Sequence, residues 1–422
     1  MKSSNSNLSV DIVPLRGLSK ATQRYMTDGL KEAARVWNFS KNLHYDSRKT
    51  NSKWPTGYEI MKQAKDCNFQ LLAQTVQQIV NLFYANIKTA KKNRKEDVRH
   101  NYPYRDLEIF PIIWTRQSFY VEDEKIILPM GRGRKSIVFN VSIPKDCKCV
   151  KLVYNDGWFL HVCKEIPIQP NNGVNRAAID LGQIHQGAVV VHDVKTNTSK
   201  ALLVSGRRTR SLKSQNKHML KKTNRLLKKG KKDSNQYKKI KKSQVKQSAR
   251  NERRIKDTNH KGINKMVKFL QENDVKEVYI GDPTGVRYKD AGRKQNQNNN
   301  TWETGKGKDQ LEHELKTLSM LCFIGGERGT SSKCPICGFK HKVKGRDWVC
   351  PQCGFKGHRD VVGGVNMFPL AYNYRIPFPT LGNIQYLQPI KVGQPTFIRS
   401  SNRADTPQSP SGRQFKKKRL ES

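Results

Sequence analysis

Four cysteines have the spacing of a structural zinc site. They form two C-x-x-C pairs, Cys334/Cys337 and Cys350/Cys353, and each pair lies in a turn that contains glycine and proline. Such turns let the backbone curl around a tetrahedral metal ion whose ligands are all thiolates. The alternatives are two disulfides or four unrelated thiols, and the paired spacing favours zinc. The remaining cysteines lack this spacing and are interpreted as ordinary thiols.

Two aspartates lie at positions where the surrounding sequence alone does not account for a carboxylate. Asp360 follows the second cysteine pair at the start of a predicted helix, where an Asp is most often an N-terminal cap. Asp180 ends the apolar part of the predicted strand NRAAIDLG. An unpaired carboxylate on a core strand is costly, so Asp180 is either hydrogen-bonded in place or holds a cation.

The elements around Asp180 predict a nuclease-type fold. Three strands follow one another within residues 175–206 and are separated by turn residues. Three consecutive antiparallel strands with an Asp on the first are typical of the opening of an RNase H-like fold, in which metal-dependent phosphodiester chemistry is common. A later strand, KEVYIGDPTGV, places Val278, Ile280 and Asp282 on one face and Tyr279 and Gly281 on the other.

The first part of the chain predicts helices and then a small β structure. Apolar residues recur at helical spacing within residues 19–45 and 70–88. From about residue 107 to 168 the period changes to two, and Asn155-Asp156-Gly157 predicts a hairpin turn. This pattern indicates a small β-barrel or a twisted sheet.

The charge balance favours a polyanionic partner. The formal net charge is +45 and the sequence pI is about 10.1. Residues 207–256 predict a long helical hairpin with very few acidic residues. A charge run is often only a solvated face, but this density repels itself unless an anion is bound, so nucleic-acid contact is expected. The candidate contact residues are Arg207, Arg208, Arg210, Lys221, Lys222, Arg225, Arg253, Arg254 and, beside Asp360, Arg359.

The composition also excludes some classes. The mean hydropathy is -0.78, no long apolar run could span a bilayer, and the N-terminal residues do not form a signal peptide. Cysteines in metal-type pairs indicate a reducing compartment. We therefore expect a cytoplasmic, nucleoid-associated protein that does not bind membranes.

Four motifs resemble those of the TnpB family, the RNA-guided DNA nucleases of insertion sequences and relatives of the type V CRISPR effectors. They are AIDLG at 178–182, HK at 260–261, ERGTSSKCPICG at 327–338, and the stretch from Cys350 to Asn366 that contains HRDVVGGVN. The resemblance covers nearly the whole chain. It implies an α+β multidomain protein with a helical recognition domain, a β-barrel wedge domain, and an RNase H-like (RuvC-like) nuclease domain with a zinc-ribbon insertion.

The implied domain boundaries follow the pattern changes. They are 1–17 for the start of the wedge strands, 18–100 for the helical domain, 101–172 for the wedge domain, 173–326 for the nuclease domain with the basic insertion 207–256, 327–357 for the zinc ribbon, 358–370 for the last nuclease segment, and 371–422 for a disordered basic tail.

The resemblance makes Asp180 the first catalytic acid and Asp360 the last. The family's usual middle acid is replaced by Gly281, and Asp282 faces the opposite way. Some members pair a GDP strand with an acid in the helix before the zinc segment. On that basis we expect Glu312 to be the third acid, with Glu314, Asp282 and Asp309 as alternatives in that order. The competing interpretation is that Glu312 and Glu314 only form ion pairs with neighbouring lysines.

The implied function is RNA-guided cutting of DNA beside a short recognition motif. Two Mg²⁺ ions held by Asp180, Glu312 and Asp360 would hydrolyse the phosphodiester, and Zn²⁺ would be structural. The expected partners are a guide RNA from the protein's own element and double-stranded target DNA, with a monomer favoured. The alternative is a guided DNA-binding repressor with an inactive nuclease, which Gly281 motivates. A self-sufficient transposase is a weaker third hypothesis.

Overall fold

The computed structural model describes residues 6–131, 133–144, 146–168, 170–283, 292, 296, 304–343, 345–389 and 398–400. The chain divides into two compact units, with the boundary between Ile168 and Gln169. Residues 288–301 are polar, which predicts a mobile loop, and they lie outside the described residues except at positions 292 and 296. No helix in the described part of the chain is both long and apolar enough to span a membrane.

The first unit contains two antiparallel sheets. The larger has the order β1-β7-β6-β2, and the smaller has the order β3-β4-β5. The predicted β-barrel thus takes the form of two sheets among the described residues. The strands are β1 (Ser6–Leu15), β2 (Ile112–Thr115), β3 (Tyr120–Glu122), β4 (Lys125–Leu128), β5 (Ile137–Asn140), β6 (Cys149–Tyr154) and β7 (Trp158–Pro167).

Three helices accompany these sheets: α1 (Lys20–Lys49), α2 (Gly57–Ala64) and α3 (Ala73–Glu96). Thr56 and Glu59 form a capping box at the start of α2, in which each side chain binds the other residue's backbone N–H. The buried stripes of α1 and α3 meet where the rings of Trp37 and Phe83 lie edge to face at 5.3 Å. These helices share one apolar core with both sheets, and Trp114 and Leu160 are fully buried in it.

The second unit is built around a seven-stranded mixed sheet with the order β12-β11-β8-β9-β10-β15-β16. Strands β8, β9 and β10 are successive antiparallel neighbours, as the sequence predicts. Strand β11 lies parallel to β8 on one side and to β12 on the other. These strands are β8 (Asn175–Asp180), β9 (His185–Asp193), β10 (Thr198–Ser205), β11 (Val275–Asp282), β12 (Leu321–Gly326), β15 (Ile384–Leu387) and β16 (Ile398–Ser400).

Each face of this sheet is covered by different helices. The helices are α4 (Arg207–Lys229), α5 (Asn235–Glu272), α6 (Thr304–Thr317) and α7 (Arg359–Tyr372). One face packs Val278 and Ile280 against α5 and α6. The other packs Ala178 and Tyr279 against α7. The alternation of β11 therefore follows the prediction, with Tyr279 and the following odd position, Gly281, on the α7 face.

The basic insertion forms the predicted helical hairpin. Helix α4 ends at Gly230, and Ser234 caps α5 by accepting a hydrogen bond from the Tyr237 N–H. The seam between the two helices is partly polar. Gln244 on α5 is buried and donates to the side chains of Thr223 and Asn224, both at 2.7 Å.

The segment after residue 370 differs from the prediction of a disordered tail. Strand β15 pairs in parallel with β10, and both Ile376 and Ile384 are buried in the core on the α7 face. Burial of these two side chains offsets the entropy of ordering the segment, which its proline-rich composition does not reveal. The rest of the predicted tail, at 390–397 and 401–422, lies outside the described residues.

Candidate metal centres

Asp180 ends β8 on the face that α7 covers. Its side chain is only partly exposed. Burial raises the pKa of Asp180 well above its ordinary value, and the negative charges of Glu327 and Asp360 raise it further. Glu327 and Asp360 therefore lie close enough to Asp180 for their charges to oppose its ionisation. The sequence argument did not select Glu327.

Glu327 directly follows β12. A Cβ atom placed on Gly281 would lie 2.5 Å from Glu327 Oε2 and 3.2 Å from Glu327 Cβ. The register pairs Tyr279 with Ala178, so two residues further on Gly281 is the neighbour of Asp180. The side chain of Glu327 thus fills the space beside Asp180 that an acid at position 281 would enter.

The carboxyl group of Glu327 is poorly satisfied. Its Oε2 is buried and has no hydrogen-bond partner among the described residues. Burial raises the pKa of Glu327 from 4.5 to about 7, with a further contribution from the charge of Asp282. An unpaired, buried carboxylate oxygen close to other carboxylates is the arrangement expected of a cation site.

Asp360 lies in the first turn of α7 and is held by three partners. His185 Nδ1 lies 2.7 Å from Oδ2, Arg346 Nη1 contacts Oδ1, and the Asp360 backbone N–H donates to His358 Nδ1 at 3.2 Å. Burial alone would raise the pKa of Asp360, but the hydrogen bond from His185 and the charge of Arg346 lower it below the ordinary value. Burial also lowers the pKa of His358 to about 4.

Helix α7 approaches the sheet closely because two glycines face it. A Cβ on Gly363 would lie 2.6 Å from Asp180 Oδ2, and a Cβ on Gly364 would lie 2.6 Å from Val190 Cγ2. Any larger residue at 363 would press on the Asp180 carboxylate. The two glycines of HRDVVGGVN therefore let α7 carry Asp360 up to β8.

Glu312 is placed elsewhere. Helix α6, which carries it, buries Leu311 and Leu315 on the opposite face of the sheet from α7. Glu312 accepts a hydrogen bond from Lys316 Nζ at 2.6 Å and contributes to the raised pKa of the Cys322 thiol. The geometry therefore places Glu327, and not Glu312, near Asp180. An amphipathic stripe does not reveal which face of a sheet its helix covers.

The other predicted alternatives also lie apart from the Asp180 and Asp360 pair. Glu314 lies near His260, Asp309 is exposed, and Asp282 forms an ion pair with Lys308 at 3.6 Å. Asp282 is on the β11 face opposite Gly281, and its negative charge raises the pKa of Glu327.

The four paired cysteines come together. Their ligand atoms all lie within 4.8 Å of one another. The Cys334 and Cys353 sulfurs are 3.6 Å apart, and those of Cys337 and Cys350 are 3.5 Å apart. Sulfurs bound tetrahedrally at the usual zinc distance are about 3.8 Å apart. All nine cysteines are free of disulfides, so this cluster fits a structural zinc ion.

The cysteine cluster is tied to the helix that carries Asp360. Strands β13 (Asp347–Val349) and β14 (Lys356–His358) form a hairpin that leads directly into α7. Fully buried Trp348 shares a small core with Cys334, Cys350 and Val362 of α7. The order of the ribbon therefore affects where Asp360 lies.

The predicted nucleic-acid contact residues are accessible. Arg207, Arg208, Arg210, Lys221, Lys222 and Arg225 on α4 are exposed, whereas Arg253, Arg254 and Arg359 are half-buried. Arg359 also lies close enough to Asp180 for its charge to lower that pKa.

Comparison with known proteins gives two family matches. The model described as the Cas12f1-like TNB domain matches residues 305–367, and the model described as the OrfB_IS605 probable transposase matches residues 160–287. Both matches agree with the predicted resemblance to the TnpB family. The first match contains the cysteine ribbon and Asp360, and the second contains Asp180 and the basic hairpin. A search of curated proteins found no match.

Solved structures agree with this assignment at the level of fold. The cryo-EM structure of the Cas12f1–sgRNA–target DNA complex superposes with a TM-score of 0.58 at 13% identity, over 83% of this chain and 83% of that chain. The mini-RNA-guided endonuclease CRISPR-Cas_phi3 is also similar, with a TM-score of 0.46 at 10% identity, over 89% of this chain and 94% of that chain. The match to the Cas12f1 complex agrees with the predicted multidomain fold of helices and mixed sheets.

Proposed function

We propose that this protein is an RNA-guided, Mg²⁺-dependent DNA endonuclease whose catalytic acids are Asp180, Glu327 and Asp360. The observation that carries this proposal is the convergence of the three carboxyl groups, in which Glu327 and Asp360 both raise the pKa of Asp180. A fold does not need such a costly group of charges for stability, whereas a cation site does.

The three acids fit magnesium. Mg²⁺ prefers hard carboxylate oxygens, and Glu327 Oε2 is a buried oxygen without a partner. When bound, two Mg²⁺ ions activate a water and stabilise the departing alkoxide in phosphodiester hydrolysis. The Glu327 side chain fills the space over Gly281, the β11 neighbour of Asp180. Helix α7 brings Asp360 in, and His185 fixes the orientation of Asp360.

Guide RNA and target DNA are the proposed partners. The similar Cas12f1 structure is described as a complex with sgRNA and target DNA. In this chain, the exposed basic side chains of α4 suit the backbone of an RNA or of an RNA–DNA duplex, because lysine and arginine position phosphates without reading sequence. Sequence choice would then come from base pairing with the guide.

A polar groove in the first unit is the proposed reader of the motif beside the target. Its volume is about 340 Å³. It is lined by amide and basic side chains: Gln74, Gln77, Gln78, Thr115, Arg116, Gln117 and Lys148. Glutamine pairs with adenine edges and arginine with guanine edges in the major groove, so this set suits direct readout of a short duplex.

The decisive experiment uses the protein purified with its co-expressed RNA. Sequencing that RNA identifies the guide segment, and a plasmid library with the matching target beside randomised bases then tests cleavage in Mg²⁺. We expect double-strand cutting next to one short motif, and none with Asp180→Ala. Tight binding of the matched plasmid without any nick in the active protein would instead support the repressor. The position of Glu327 disfavours an inactive nuclease, because its carboxyl group occupies the place where Gly281 has no side chain.

A further inference from the structure

Both oxygens of Asp360 are already occupied by protein groups. His185 binds Oδ2 at 2.7 Å, and Arg346 binds Oδ1. A carboxylate that ligates a metal must offer an oxygen lone pair to it. Each oxygen keeps a second lone pair, so ligation is sterically open, but the guanidinium at Oδ1 puts a positive charge where a cation would bind and therefore competes with it.

Arg346 is the partner better placed to leave. The side chains of His185 and Asp360 are each 14% exposed, whereas the side chain of Arg346 is 36% exposed. Arg346 lies in the ribbon just before β13, where its backbone carbonyl accepts a hydrogen bond from the Arg359 N–H at 2.8 Å. This contact anchors the backbone, so the long side chain can turn without unfolding the hairpin.

We propose that Arg346 exchanges one anionic partner for another. It pairs with Asp360 while the acid group is free of metal, and it binds a phosphodiester of the DNA strand being cut once cations take over the carboxylate. The guanidinium fork matches a carboxylate and a phosphate equally well. The positive charge of Arg346 also lowers the pKa of Asp180, so the guanidinium lies near that carboxyl group as well. This inference rests on the proposed nuclease function and adds a substrate-binding residue from the ribbon.

The exchange predicts two effects of opposite sign. Removing the guanidinium frees Asp360 from a competing cation, so metal binding becomes tighter. The same change removes a donor to the phosphate, so cutting becomes slower even when metal is saturating. A residue that only positions Asp360 would instead weaken metal binding when it is removed.

The test measures Mn²⁺ binding by electron paramagnetic resonance and cleavage of a guide-matched plasmid, both with the guide-loaded protein. For Arg346→Ala we expect Mn²⁺ affinity to rise about threefold to tenfold, the scale of losing one partly exposed ion-pair partner. At saturating Mg²⁺ the cleavage rate should fall about 100-fold, as for loss of one transition-state donor. Arg346→Lys should keep near-normal Mn²⁺ affinity and show an intermediate rate. Lys342→Ala, in the same ribbon, is the matched control and should change neither quantity.

Two results would overturn the exchange. One is weaker Mn²⁺ binding by Arg346→Ala while its thermal midpoint stays normal, since this means that Arg346 only orients Asp360. The other is a cleavage rate within twofold of the wild-type rate at saturating metal. If Arg346→Ala does not fold, the Arg346→Lys rate decides, because an unchanged rate also contradicts the proposal. Wild-type protein that never cuts refutes the nuclease function instead, and the Mn²⁺ measurement still tests the competition for Asp360.

Discussion

The Cβ position of Gly281 and the Oε2 atom of Glu327 are 2.5 Å apart, so only one of these two residues can place a side chain beside Asp180. The acid that is absent from β11 is replaced by one from the end of the neighbouring strand. The two positions are far apart in sequence, but a side chain at either one would occupy the same volume.

Glu327→Gln should abolish cutting, whereas Glu312→Gln should leave it nearly unchanged. Glutamine keeps the size of the side chain but removes the negative charge that a cation needs, so the cleavage rate should fall at least about 100-fold. Glu312 lies under the opposite face and pairs with Lys316. Rates are measured with the matched plasmid at saturating Mg²⁺. The opposite ranking would restore the original expectation for Glu312.

A double substitution tests the shared volume directly. Gly281→Glu alone should lower stability, because its Cβ meets Glu327 and Met367 Cε at 2.5 and 2.7 Å. In a Glu327→Ala background the contact with Oε2 is gone and only the flexible end of the Met367 side chain has to shift, so the same change brings a carboxylate back beside Asp180. We expect the double variant to regain part of the cutting that Glu327→Ala loses. A double variant that is folded but fully inactive would show that the two positions are not interchangeable.

Asp180→Asn should stabilise the metal-free protein while it abolishes cutting. The amide removes a poorly solvated charge that Glu327 and Asp360 oppose, which is worth on the order of 1 kcal/mol at neutral pH. Thermal unfolding in the presence of a chelator measures the gain. Asp193→Asn, at the last residue of β9, is the control. It should lower stability because the Asp193 carboxylate accepts hydrogen bonds from the Lys195 and Thr196 N–H groups.

The stability of the metal-free protein should fall as the pH rises. The folded pKa of Glu327 is about 7, against an ordinary value of 4.5. The folded state therefore keeps a proton that the unfolded chain releases, and stability declines between these two values by at most about 1.4 kcal/mol per pH unit. Thermal midpoints from pH 5 to 8 measure the decline. Glu327→Gln should flatten it, and an unchanged slope in that variant would assign the effect to another group.

Loss of zinc should lower both stability and cutting. Cys350→Ser removes a ligand beside fully buried Trp348, whose core includes Val362 of α7. The segment that carries Asp360 should therefore loosen. Elemental analysis should find one zinc per wild-type chain, and Cys322→Ser, outside the cluster, should keep it. A zinc-free protein with normal stability would contradict the ribbon assignment.

Local patterns predicted the elements well where one period dominates. The alternation of β11 correctly put Tyr279 and Gly281 on one face, because strands alternate strictly. The cysteine spacing and the aspartates at Asp180 and Asp360 also indicated which groups meet, since motifs fix their local geometry.

Glu327 was missed for a physical reason. The sequence around Phe323 and Ile324 indicates only a short strand at these two residues, whereas β12 runs on to Gly326. Alternation from Phe323 through Gly325 places Glu327 on the Tyr279 face of the longer strand. Gly281, which has no side chain, leaves the space on that face that Glu327 fills. Glu312 lies under the other face because a stripe on a helix is compatible with either side of a sheet.

Two of the three proposed catalytic acids flank the cysteine ribbon, Glu327 just before it and Asp360 just after it. A bound zinc ion would therefore lower the entropic cost of bringing these two carboxylates together at the proposed magnesium site. Without it, the intervening segment becomes a free loop, and closing that loop to bring the two carboxylates together has an entropic cost that grows with its length. The fraction of the proposed nuclease that can bind magnesium would then depend on the supply of zinc, which takes no part in the cutting.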